Sequence, residues 1–586
     1  MSAILRVTTM CVATALACVG SAAAQGGTVT GVVVKSPSGE PAAGAAVKLT
    51  DEPPSVGPPG HQTQSTTTAA DGSFRFDNVE PGAYYVVANL SGYLPTEYGQ
   101  RSPIGIGIAF DVNRGQRVNV RLTAWPTSGI SGHVVDNDGD PVGRVQVVAF
   151  RFVYSNGKPS MTLAQSVMTN DRGEYRMFWL TPGTYRVAAR EWDPGTWLGG
   201  VNIGPPRRFG TADQATPPIV HGQALANGTI LEETEVPIYA PSTPDPQLAS
   251  TIVLAPGDSA TNVDIQLAGN RVPAHHVRGT VVAADRTQRR MVTMVPKAIS
   301  PTTRIATAVV KGDGSFDIGG IATGAYIIFT QDGMVAEQVE VGETDVTLTL
   351  TEPPTISLSG HLTFDRGMST ASANPDPSDL QIRMTRDPDL PVAPMGGPGF
   401  NRPPFPNGTI TLNNIPPGDY RIDMWPFAFR REGAITSGRP IPEGFVNAYV
   451  KSIRLGNMDA LADGLHLWGP TQSLLEIVIG LNGAQVEGTA VYNGRDPAAN
   501  ITIVAVPDGA NQGRADLYRA TASDRLGRFA MRGLAPGDYT FYAWDDVERG
   551  AWESPEFMRA FEGRGRFVRL REGRNEALDL NVLVGR

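Results

Sequence analysis

Only two cysteines occur in 586 residues, Cys11 and Cys18, and both lie in the first apolar stretch. A chain cleaved after that stretch has none, which removes disulfides, thiol catalysis and cysteine-ligated zinc together. Lysine is nearly as scarce, confined to Lys35, Lys48, Lys158, Lys297, Lys311 and Lys451, and the formal charge is −9. No basic stripe is available for phosphate backbones, so nucleic acid is not an expected partner. The longest apolar run, Val7 to Gly20, is short of the ~20 residues a membrane helix needs. Enzyme signatures are missing as well. The seven histidines contain no HExxH pair, and neither a GxSxG elbow nor a phosphate-cradling loop is present.

What is abundant is turn chemistry. Gly (66) and Pro (47) punctuate short apolar runs, the pattern of an all-β chain. The length argues for several domains, because single cores stop growing near ~250–300 residues. At the start, Arg6 precedes the apolar run and Ala22-Ala23-Ala24 follows it. This reads as a signal peptide over residues 1–24, cleaved after Ala24, with processing at Cys18 in Leu16-Ala17-Cys18 as the rival reading. The expected location is therefore extracytoplasmic. No transmembrane segment is expected in the mature chain, which ends on a strand-like run at Arg586.

Five segments repeat one pattern: an Asp/Asn-Gly turn, an alternating strand, a Pro-Gly or Thr-Gly turn, and a strand opened by tyrosine. The turn glycine and the tyrosine pair as Gly72 and Tyr84, Gly173 and Tyr185, Gly314 and Tyr326, Gly408 and Tyr420, and Gly527 and Tyr539. They are twelve residues apart every time. Glycine in such a turn supplies positive φ. A tyrosine beside a sandwich corner buries its ring and ties its hydroxyl to nearby backbone. These ten residues are read as structural. Each copy also opens on a glycine-bearing strand (Gly31, Gly132, Gly279, Gly360, Gly488) and closes on an alternating one, such as Val118, Val120 and Leu122. Repeat starts lie 81 to 147 residues apart, too irregular for a solenoid or a single propeller. The expected organisation is five β-sandwich units: 25–125, 126–269 with a long insertion, 270–353, 354–482 with an insertion, and 483–586.

These elements resemble the carboxypeptidase regulatory-like domain family. The shared features are the opening glycine strand, the Gly39-Glu-Pro41 and Gly139-Asp-Pro141 hairpins, the Asp-Gly-x-Phe turn and the Pro-Gly-x-Tyr corner. The resemblance implies a transthyretin-like, immunoglobulin-like β-sandwich, grouped with carbohydrate-binding-like folds and related to repeats of collagen adhesins. It implies an accessory role without catalytic residues, as beside a secreted peptidase or in an outer-membrane system.

Several local texts have plainer readings than chemistry. Ser155-Asn-Gly-Lys158 matches SxxK but lies in a glycine-containing loop. Asp136-Asn-Asp138-Gly-Asp140 resembles a calcium loop, yet Pro141 and Val147 stand where that loop needs Gly and Glu, so a hairpin turn explains it better. His275-His276 sends its side chains to opposite faces of a strand, which is poor for chelation. Neither metal nor cofactor is expected.

One feature points to binding. Between the tyrosine strand and the closing strand, four copies carry a long aromatic-rich connection: Tyr93 and Tyr98; Trp192, Trp197 and Tyr239; Trp425, Phe427, Phe429, Phe445 and Tyr449; Trp544, Trp552, Phe557 and Phe561. Loops on a rigid scaffold are where binding concentrates. Flat rings beside carboxylates, as at Trp544-Asp545-Asp546, suit sugars. Trp192, Trp197, Trp544 and Trp552 are therefore candidate contacts for a polysaccharide or cell-surface polymer. The competing reading buries these rings as packing, with Ser554-Pro555 capping a small helix whose apolar face is Phe557, Met558 and Phe561. In that case the chain is a structural spacer or adhesin stalk contacting proteins, built as an extended rod with its aromatic connections at unit junctions.

Overall fold

The computed structural model describes residues 26–51, 63–105, 107–155, 157–191, 220–224, 230–283, 290–297, 306–330, 333–367, 375–386, 406–425 and 443–584. The proposed signal peptide, Trp192, Trp197, Phe427 and Phe429 lie outside these residues.

Strands dominate, and the one α-helix among the described residues is the four-residue Pro555–Met558. The first copy shows the plan. Its opening strand Gly27–Lys35 pairs antiparallel with Ser73–Val79 and parallel with Arg117–Ala124. A second sheet runs Thr63–Thr67, Ala46–Thr50, Gly82–Asn89 and Thr96–Glu97 in spatial order. Alternate residues of the two sheets, among them Val29, Phe74, Phe76 and Val120 from one and Val47, Leu49, Tyr84 and Val86 from the other, fill one core. That interdigitation of inner faces defines a sandwich.

The same mixed trio recurs in the other motif-bearing segments. Ser128–Val135 pairs with Glu174–Leu180, His275–Val282 with Ser315–Ile321 and Val346–Thr351, Ile356–Asp365 with Thr409–Ile415 and Leu475–Gly480, and Ala484–Tyr492 with Arg528–Leu534 and Asn575–Asn581. In the second copy the closing run is broken into Ser259–Ala260 and Ile265–Gln266, with Asn262 at φ 59° between them. In the fourth, the closing strand also pairs with Tyr449–Leu455, which widens that sheet. A further sheet joins two strands of the second copy's insertion, Val220–Ala224 and Ile230–Glu235, to Arg271–Pro273 at the start of the third unit.

The shared residues have identifiable causes. A Cβ at Gly31 would collide with the Val120 carbonyl and the Phe74 ring, and one at Gly279 with the equivalent Leu348 carbonyl and Phe316 ring. The opening glycine therefore lets the closing strand and the turn phenylalanine approach the same point. The tyrosine hydroxyls donate to the carbonyl four residues upstream: Tyr84 to Glu80 (3.0 Å), Tyr185 to Thr181 (2.5 Å), Tyr326 to Ala322 (2.8 Å) and Tyr420 to Pro416 (2.7 Å). Tyr539 is the exception; its hydroxyl is buried with no partner among the described residues.

A bulge near the end of the turn strand also recurs, carried by a residue with positive φ: Asn78, Trp179, Gly320, Asn414 and Gly533. Asn and Gly are the residues that tolerate this region; a tryptophan there is an outlier.

The local texts resolve as turns. Ser155 pairs with Lys158 across a hairpin. The Asp136 carboxylate accepts from the amides of Asp138 and Asp140, both at 2.9 Å, and Val135 bridges to Pro141.

Candidate functional site

The aromatic connection of the fifth copy is built inward. The strand Gly537–Trp544 ends on Trp544, which is 0 % exposed, and Trp552 is 3 % exposed. Trp544 stacks on Tyr542 at 5.1 Å with 10° between the planes, and Phe561 meets it edge-on at 5.4 Å. With Val504, Val506, Tyr518 and Leu583 they form a second core on the outer face of the sheet. Pro555 takes the first helical position after Ser554, and the turn that follows lays Phe557 and Phe561 against Trp544. Exposed ligand contact through Trp544 and Trp552 is thus corrected: side chains this deeply buried leave almost no ring surface for a sugar. The other connections behave alike where they are described. Tyr239, Phe445 and Tyr449 are buried, and Tyr93 and Tyr98 pack on the first core.

The aromatics that do reach solvent are others. Trp179 is 64 % exposed, with Phe178 edge-to-face at 4.8 Å, and Trp468 is 71 % exposed. The Trp468 indole donates to Asp419 Oδ1 at 3.1 Å, an oxygen shared with His466 Nδ1 at 2.8 Å. Sequence reasoning passed over both tryptophans: Trp179 lies in the turn strand, outside the long connections, and Trp468 lies late in the fourth connection but was not singled out there. Aligning the five copies residue by residue exposes Trp179, since it stands in the Asn/Gly bulge position.

The fifth copy also folds back on the first two, across nearly 400 residues of sequence. Arg151 makes a two-pronged ion pair with Glu548 (3.2 and 2.8 Å), both ends largely shielded from water. Tyr154 packs edge-on to Phe557 at 6.2 Å. Arg101 donates to the Ala499 carbonyl at 2.6 Å and lies over the Tyr492 ring at 5.3 Å. Asn500 donates to the Gly99 carbonyl, and Arg525 covers Tyr98 at 5.0 Å. At the same seam, burial raises the Asp546 carboxyl above the usual range; a hydrogen bond from Ser102 opposes this, and Asp545 and Glu548 reinforce it.

Between the fourth and fifth copies lies a cleft of about 860 Å³. Its walls include Arg383, Arg421, Asp508, Tyr542, Trp552 and Arg559. The Trp552 Nε1–H is buried and has no acceptor among the described residues. Among the described residues, no group of three or more His, Asp or Glu is placed to hold a metal ion, and no helix is long and apolar enough to cross a membrane.

The family profile of the carboxypeptidase regulatory-like domain matches residues 28–123, the first copy. No curated protein matches the sequence. Solved structures with local likeness include GBS52, the minor pilin of Streptococcus agalactiae, at 16 % identity over 41 % of this chain and 94 % of that one, TM-score 0.21. The Bacillus anthracis TIE protein aligns at 12 % identity over 56 % of this chain and about half (51 %) of its own length, TM-score 0.16. BcpA, the major pilin subunit of Bacillus cereus, aligns at 11 % identity over 56 % and 99 %, TM-score 0.15.

Proposed function

We propose that this chain is an exported, non-catalytic scaffold of five sandwich units, divided near residues 125, 269, 353 and 482, that works through protein contacts at the cell surface. The observation that carries this reading is the use made of the fifth connection. Its aromatics are consumed in packing, and Phe557 and Glu548 hold the unit against Tyr154 and Arg151 of the second. The loops act as mortar between units, as the structural reading requires. The contacts close the chain on itself, so the scaffold is a folded-back assembly and not the extended rod that reading expected.

X-ray scattering tests this. Five ~100-residue units closed in a ring have a radius of gyration of roughly 30 Å, and the same units end to end roughly 50 Å. The closed value is expected for the mature chain, with an increase in Arg151→Glu; a rod-like value without the substitution sinks the reading.

A second reading, binding of a polysaccharide, is favoured by the cleft. Its wall offers guanidinium donors and carboxylate acceptors, which together suit a hydroxyl-rich ligand. Retardation of the mature chain in native gels cast with one polysaccharide, lost in Arg383→Ala with Arg559→Ala, would replace the first reading by this one.

A further inference from the structure

The junction between the second copy's insertion and the third copy is held by one histidine in an unusual setting. His276 Nδ1 lies 2.5 Å from Asp317 Oδ1, and Nε2 lies 3.0 Å from Glu232 Oε2. Glu232 sits on the strand Ile230–Glu235 and Asp317 on Ser315–Ile321, so the ring bridges two different sheets. A neutral imidazole has one N–H and one lone pair. It can donate to one carboxylate only, and then turns its lone pair on the other. Both contacts are satisfied together only by the imidazolium.

The surroundings are arranged for that cation. Asp345 accepts from the His276 backbone amide at 2.9 Å and from Arg278 at 2.6 Å, while Arg278 also reaches Asp317 Oδ2 at 3.1 Å. The groups facing the ring are thus three carboxylates and one guanidinium; Glu233, next along its strand, points to the opposite face by alternation. The ring also has a made space: a Cβ at Gly319 would lie 2.9 Å from its Cε1.

We propose that His276 is a proton-operated latch, fastening the insertion sheet of the second copy to the third copy when charged and loosening it when neutral. Partial burial opposes the charge, but hydrogen bonds and attraction from Asp317, with the bond to Glu232, outweigh it and hold the imidazolium above the ordinary histidine range, Arg278 subtracting from the effect. The sign follows. A group whose folded pKa is raised stabilises the docked state fully below its undocked value, about 6.5, and loses that contribution as pH rises through the raised one. The junction is tight in mildly acidic surroundings and slackens above neutrality.

The test is hydrogen exchange on the mature chain at the amides of Ile230–Glu235, Arg271 and Val272 between pH 5.5 and 8.5, corrected for intrinsic rates, with the His276 ring titrated by NMR. Protection at these amides is expected to fall as pH rises, with the ring titrating above about 6.5. In Glu232→Gln the ring midpoint should drop and the loss of protection should move with it. In His276→Gln the pH dependence should vanish. A ring midpoint at or below the ordinary value, or a loss of protection that stays in place in both variants, overturns the latch. The Glu232→Gln arm keeps the test decisive even if the His276 variant folds poorly, because it leaves the ring and its Gly319 slot intact.

Discussion

Tyr420 and Tyr539 occupy the same position in two copies, and both are 1 % exposed. They differ in how the hydroxyl is bonded. The Tyr420 hydroxyl donates to the Pro416 carbonyl at 2.7 Å, whereas the Tyr539 hydroxyl has no partner among the described residues. Burial pushes the Tyr539 hydroxyl up to about 12, so it is neutral at any working pH. Removing the oxygen from each should therefore give unlike results. Tyr420→Phe loses a net hydrogen bond and leaves the buried Pro416 carbonyl unsatisfied, a cost of about 1–3 kcal/mol. Tyr539→Phe loses nothing and sheds a buried, unpaired polar atom, so it should be neutral or stabilising by up to about 1 kcal/mol. Hydrogen exchange along Gly418–Trp425 and Gly537–Trp544 reads each locally, which avoids assuming that the whole chain unfolds in one step. The expected loss of protection is about 5- to 150-fold in the first strand and none in the second. Equal losses in both would refute the reasoning, because ring packing alone would then govern the corner.

Other substitutions separate strain, packing and charge. Trp179→Asn should be neutral or stabilise the second copy by up to about 1 kcal/mol, since Asn takes positive φ more readily, while Trp179→Val should cost about 1 kcal/mol or more; exchange along Glu174–Leu180 checks both. Trp544→Ala should destabilise by about 3–5 kcal/mol in thermal unfolding, against less than about 0.5 for the exposed Trp468→Ala. Asp546→Asn should raise stability at pH 7.5 and leave it unchanged at pH 3.5. The folded-state pKa of Asp546 is raised, so the wild-type chain loses stability as pH climbs through it, and the amide has no charge to bury.

The fold was legible because its determinants are backbone constraints that leave one permitted residue type. Gly31 and Gly279 stand where a carbonyl and a phenyl ring meet the chain, and Phe74 and Phe76 alternate into the core. The aromatic connections were not legible to the same degree. A run such as Trp544 to Phe561 has the same composition whether its rings face water or each other; what decides is the second, outer core on Val504, Val506 and Tyr518, which sequence spacing does not reveal. The seam between the fifth copy and the first two was invisible for a different reason. Arg151 and Glu548 are separated by 397 residues, and one copy's pattern carries no information about which surface another copy will meet.

The repeat itself supplies a way to separate the two kinds of residue. Where all five copies agree, a geometric need accounts for the agreement, as at the turn glycines and the corner tyrosines. Where one copy departs from the others at an aligned position, the fold does not require the departure. Trp179 fills a slot that takes Asn or Gly elsewhere, at a conformational cost. Asp419 is engaged by His466 and Trp468, whereas its counterpart Asp538 is engaged by Arg569 at 2.6 and 2.8 Å. Two units of the same architecture thus present a cation-capped carboxylate in one case and an exposed indole in the other. If these departures were drift on an indifferent surface, reverting them should change only stability. If the scaffold meets partners at such positions, Trp179→Asn should weaken partner capture while leaving the folded chain at least as stable. Unchanged capture with unchanged stability would return Trp179 to the status of a tolerated surface residue.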